Sequence, residues 1–140
     1  MEKLLAFALL LNTGFNVEQE YTEYLHKRFL DSADDIFLEL ELISGDTEKT
    51  VSYIKETADS SVIDYKLLAK ELIAILKTCY ETMDFDDFIS KTYLLWQALP
   101  YEAAHDEPLY ELRFADDPWS YGVKTDSKRI IEDILNFFQQ

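Results

Sequence analysis

The sequence predicts an all-α fold: a single, compact helical bundle of about six or seven helices spanning residues 1–140. Three observations predict it. Apolar residues recur at steps of three and four, capping side chains precede those segments, and only three Gly and three Pro interrupt the chain. At 48% apolar and 14% aromatic residues, the chain has the material for one real core in spite of its charge. No Ser/Gly/Pro linker, low-complexity tract or repeat divides it, so one acidic domain is expected.

The first helix is expected over residues 2–11 and stops near Gly14, a residue suited to the left-handed cap of a helix end. Its eight apolar residues, 4–11, are too few to cross a bilayer, which needs about 20. No small-x-small cleavage site follows them, so they read as a helix and not a secretory leader, and a cytoplasmic location is expected. Asn16 and Gln19 have capping-box spacing and open a second helix to about residue 30. Ser32, Asp34 and Asp35 suit the positive end of a third helix, ending at Ile43 before Gly45. Within it, Phe37-Leu38-Glu39-Leu40-Glu41-Leu42-Ile43 alternates as a strand would, so helix and strand both stay open there.

Asp46 caps a short helix to about Thr57 through Val51 and Ile54. Ser60 or Ser61 opens the longest helix, residues 61–83, which carries Tyr65, Leu68, Leu72, Ile75, Leu76 and Cys79 on one face and is expected at the centre of the bundle. Asp84, with Asp87 three residues on, starts a helix ending before Pro100 and burying Phe88, Tyr93, Leu95, Trp96 and Leu99 in some combination. Residues 101–124 carry Pro108, Pro118 and Gly122 and read as an irregular loop, with a short extended stretch over residues 109–114. Thr125 or Asp126 caps the last helix, whose Ile130, Ile131, Ile134, Leu135 and Phe138 face the core.

Catalytic signatures are scarce. The chain has no Gly-rich phosphate loop, no G-x-S-x-G elbow and no C-x-x-C pair. Asp84-x-Asp86-Asp87 lacks the glycine and distal glutamate of a calcium loop. Cys79 stands alone on an apolar stripe, so a buried inert thiol is expected there. His26 and His105 each lie three residues after a glutamate, Glu23 and Glu102, and the Glu-x-x-His pairs resemble half of the ligand set of ferritin-like di-metal proteins. That resemblance implies a bridged metal site and an enzyme. The family also needs one Glu from each of two further long helices, whereas the second motif here is confined between Pro100 and Pro108. No catalytic residue, metal ligand or cofactor is therefore expected.

Charge is the strongest functional signal. Thirteen Lys and Arg against 28 Asp and Glu give a net −15, which repels nucleic-acid backbones and anionic membranes and attracts a basic protein. The carboxylates come in blocks. Residues 31–48 hold Asp31, Asp34, Asp35, Glu39, Glu41, Asp46 and Glu48 with no Lys or Arg. Residues 101–117 hold Glu102, Asp106, Glu107, Glu111, Asp116 and Asp117 against Arg113 alone, and Trp119 and Tyr121 follow. Carboxylates beside aromatics are what a hot spot for an Arg/Lys-rich partner needs, and the alternative reading is that Trp119 plugs the core from a loop. The expected partner-binding residues are Asp31, Asp34, Asp35, Glu39, Glu41, Glu107, Glu111, Asp116, Asp117, Trp119 and Tyr121.

In size, acidity and helical character the chain resembles the bacterial immunity proteins of the contact-dependent inhibition and colicin type. That resemblance implies an inhibitor that neutralises a basic toxin, a nuclease by its charge, by covering its active or substrate-binding surface. A DNA-mimic antagonist of a nucleic-acid-binding protein draws on the same charge and is the alternative.

Overall fold

The computed structural model describes residues 1–31 and 34–139, and every regular element among them is helical. The all-α class holds and no strand occurs among the described residues. No helix there is long and apolar enough to cross a membrane.

Helix α1, Glu2–Asn12, is the most enclosed element, because residues 4–10 are all buried. A helix apolar on every side can only be satisfied inside a protein. It packs against α4, Thr47–Thr57, and α5, Tyr65–Thr82, and α5 also meets the helices at Phe85–Ile89, Tyr101–Ala104 and Lys124–Leu135, so α1 and α5 share the centre of the bundle. The chain leaves α1 through Gly14 at φ +87°, where the amides of Gly14 and Phe15 donate to the carbonyls of Leu11 and Leu10. Helix α5 turns Leu68, Leu72, Ile75, Leu76 and Cys79 inward as expected. It begins later than Ser60 or Ser61, because Asp64 is the cap, accepting from the amides of Lys66 and Leu67 at 3.1 Å each. Ser61 instead donates its hydroxyl to Asp59, in the turn before the helix.

Helix α2, Glu18–Asp31, starts two residues beyond Asn16. Helix α3, Asp35–Leu42, settles the alternating segment as helix, and Asp46 caps α4 as expected, accepting from Lys49 N–H at 3.1 Å. Ser32 lies outside the described residues.

The chain has more helical segments than expected, for two local reasons. The single helix foreseen before Pro100 divides into α6, Phe85–Ile89, and α7, Thr92–Ala98. At that break the Ser90 and Thr92 hydroxyls donate to the carbonyls of Asp87 and Ile89, taking acceptors that a continuous helix would use. Residues 101–124 are not an open loop either. They wind into α8, Tyr101–Ala104, a 3-10 turn at Leu109–Phe114 and α9, Asp117–Ser120. Pro100 and Pro108 stand just before a helical turn and Pro118 lies in the first turn of α9, where a missing N–H costs nothing. The extended stretch expected over residues 109–114 is thus helical. The last helix, α10, Lys124–Leu135, buries Ile131, Ile134 and Leu135, and a 3-10 turn at Phe137–Gln139 follows.

Candidate functional site

Period-two alternation wound into a helix of 3.6 residues per turn cannot put all its apolar residues on one face. In α3 the consequence is visible. Phe37 and Leu40 are buried, and Ile36 and Ile43 pack beside them against the core. Leu38 and Leu42 are left outside, 45% and 71% exposed. With the exposed Asp35 and Glu39 they form one outward row, 35, 38, 39 and 42, linked by steps of three and four.

Helix α3 rests on α2, where Arg28 lies over the Phe37 ring at 5.3 Å. Just beyond Arg28, Phe29, Leu30 and Asp31 are exposed, as is Asp34 ahead of α3. Glu41 differs from its neighbours: it is half-buried, with His26 Nδ1 3.8 Å from its carboxylate. Leu38, Leu42, Phe29 and Leu30 are site candidates that charge alone did not reveal. The signal for Leu38 and Leu42 was the alternation itself, which in a helix must leave apolar side chains on the outside.

The second acidic region is built differently. Glu107 and Glu111 meet Asp133 of α10 around an open groove of about 410 Å³, floored by Pro108, Ile130 and Ile134. Asp133 was missed, although its place beside the Ile130 and Ile134 stripe put it at the edge of the apolar face. Trp119 is half-buried against the core. Its indole N–H donates to Asp86 Oδ1 at 2.8 Å, and its backbone N–H donates to the buried Ser127 hydroxyl at 2.8 Å. The Trp119 N–H, assisted by Lys124 Nζ 3.5 Å away, holds the Asp86 carboxyl below the usual range. Lys124 and Lys128 lie over the Phe85 ring of α6 at 5.5 and 5.2 Å, completing a latch between α6 and the start of α10.

Arg113 is also used internally, stacked over Trp96, Tyr110 and Phe114 at 5.5, 5.0 and 4.5 Å. Burial, reinforced by the neighbouring Asp117, pushes the half-buried Asp116 carboxyl above its usual range. Asp117 and Tyr121 face solvent, Tyr121 at 85% exposure.

Among the described residues, no ion pair involves Asp31, Asp35, Glu39, Glu107, Glu111, Asp116 or Asp117. Lys49 pairs with Asp46 and Lys91 with Asp87.

The two histidines each have a local partner. His26 faces Glu41, and His105 stacks on Tyr101 at a ring separation of 4.1 Å while its Nδ1 lies 3.0 Å from the Tyr101 carbonyl. Among the described residues, no three His, Cys, Asp or Glu side chains converge so as to hold a metal ion. Cys79 is buried, and burial pushes its thiol up to about 12, far from a reactive thiolate at neutral pH.

Comparison with known protein families, with curated proteins and with solved structures finds no match for this chain.

Proposed function

We propose that the protein is a binding protein for a basic partner protein, acting as an inhibitor of the immunity type that covers a toxin's nucleic-acid-binding surface. The observation that carries this reading is the set of exposed carboxylates of the two acidic regions without ion-pair partners among the described residues, in a chain of net charge −15. Carboxylates left without cations inside their own fold are available to neutralise those of another molecule. Their collective field accelerates encounter with a positive surface. A nuclease groove, built to hold phosphates, is such a surface.

The test begins with capture. Tagged protein is incubated at low salt with extract of the source cells, and bound proteins are identified by mass spectrometry. A basic protein is expected, with an association rate that falls steeply between about 0.01 and 0.15 M salt as the screening length shortens from about 30 to 8 Å. Expression of that partner alone is expected to arrest a host cell, and co-expression with this protein to relieve the arrest. A neutral or acidic partner, or association indifferent to salt, overturns the electrostatic reading. A basic partner that is harmless when expressed overturns the inhibitor reading.

A further inference from the structure

We infer that the outward row of α3, Asp35, Leu38, Glu39 and Leu42, is a docking ridge for an amphipathic helix whose apolar stripe is flanked by Lys or Arg. The inference rests on the basic-partner reading and gives it a place and a geometry.

Leu38 and Leu42 stand one turn apart, about 6 Å along the helix axis, and Asp35 and Glu39 repeat that spacing beside them. The result is a straight ridge of two leucines edged by two carboxylates. Partner helices lay such i, i+4 apolar rows against each other, and flanking charges fix partner and orientation. Within its own chain, α3 uses its other face against α2 and the core, and Leu38 and Leu42 stay exposed among the described residues.

Charge selects the occupant. Residues 31–48 contain no Lys or Arg. A second copy of this chain would bring Asp35 and Glu39 against their own counterparts, and an anionic lipid surface would be repelled in the same way. A helix carrying Lys or Arg beside its leucines satisfies both components of the ridge.

The test uses a fluorescent peptide of about 18 residues, long enough to hold helix, with Leu on one face and Lys on the other. A control peptide of identical composition has its Leu and Lys scrambled. Anisotropy titrations are run on the full chain, on Leu38→Ser/Leu42→Ser and on Asp116→Asn/Asp117→Asn. Because Leu38 and Leu42 are exposed, the doubly substituted chain is expected to remain folded, which its melting curve checks.

The segregated peptide is expected to bind at least about 10-fold more tightly than the scrambled one, which corresponds to about 1.4 kcal/mol. That preference is expected to vanish in Leu38→Ser/Leu42→Ser and to persist in Asp116→Asn/Asp117→Asn. If both peptides bind alike, lose binding with salt and ignore the leucine substitutions, the basic-partner reading stands and the docking ridge falls. Failure of both peptides to bind at low salt removes both readings. If the wild-type chain sediments as a dimer that Leu38→Ser/Leu42→Ser dissociates, a second copy occupies the ridge and the inference is wrong.

Discussion

The α3 face and residues 101–121 are made of the same materials, carboxylates interleaved with large apolar side chains, and the fold treats them in opposite ways. Along residues 101–121 Tyr110, Phe114 and Trp119 are spent internally, while Tyr101 and Tyr121 face solvent. Trp119 is latched to Asp86, while Tyr110 and Phe114 hold Arg113. On α3 the inner residues seal the core, and a second set of leucines is left facing water beside its carboxylates. Composition alone therefore does not separate an anchor from a plug. The separation comes from whether each polar tip and apolar body is engaged by its own chain, as Trp119 is at Asp86, or left exposed among the described residues, as Leu42 is.

The sharpest way to break this comparison lies within α3 itself. Leu40 is fully buried and Leu42 is 71% exposed, two positions apart on one helix. Leu40→Ala is expected to cost about 2 to 5 kcal/mol in denaturant unfolding, as a core truncation. Leu42→Ala is expected to stay within about 0.5 kcal/mol. Equal losses at the two positions would mean that the ridge is covered, and the docking inference would lose its basis.

A second contrast tests the other region. Trp119→Ala removes a half-buried ring and the indole N–H bonded to Asp86, and is expected to cost about 1 to 3 kcal/mol, below the 3 to 5 of a full core aromatic. Tyr121→Ala, at an exposed ring, is expected to be neutral within about 0.5 kcal/mol. Should Trp119→Ala leave the melting temperature intact and instead weaken partner binding, Trp119 is an interface anchor and the two regions are alike. Arg113→Ala follows with an expected loss of about 0.5 to 1 kcal/mol, the worth of a partly exposed cation–π contact. Retention of full stability by Arg113→Ala would show that its stacking is incidental.

Much of the fold was legible because its causes are local. The Asp46 cap, the Gly14 exit from α1 and the inward stripe of α5 each depend on residues within a few positions of one another. The errors arose where the deciding partner is distant or where a rule has two outcomes. Enclosure of α1 depends on α4 and α5 covering it together, which periodicity within α1 cannot report. Proline in residues 101–124 was read as a breaker, whereas here each proline begins a helical turn. The carboxylates of α3 were found by charge, but its leucines became visible only once the alternating segment was known to be helix. Neither Asp86 as the acceptor for Trp119 nor Asp133 beside Glu111 can be read from spacing, because 33 residues part the first pair and the second joins different elements.

The smallest expected effect separates two carboxylates by the sign of their pH dependence. Burial first, and then the neighbouring Asp117, raise the Asp116 carboxyl in the folded chain, so between the unfolded and folded values the native state binds more protons than the unfolded one. Stability from this group therefore falls as pH rises through that window and is restored by acidification. Asp116 makes no side-chain cap bond to α9, so Asp116→Asn removes the penalty without removing a contact of that kind. The substitution is expected to raise the melting temperature at pH 7, with the gain fading below about pH 4, where the unfolded carboxyl is already protonated. Asp86 has the opposite sign. The Trp119 N–H and then Lys124 lower its carboxyl, so its stabilisation is present above the unfolded value and lost as pH falls through the folded one. Asp86→Asn should accordingly lower the melting temperature at pH 7 and become neutral in acid. Melting curves of the two variants that diverge at neutral pH and converge with wild type in acid, Asp86→Asn at lower pH than Asp116→Asn, would fit both environments. A parallel shift of both variants at every pH would show that neither carboxylate owes its energetics to the burial and latch described for the second acidic region.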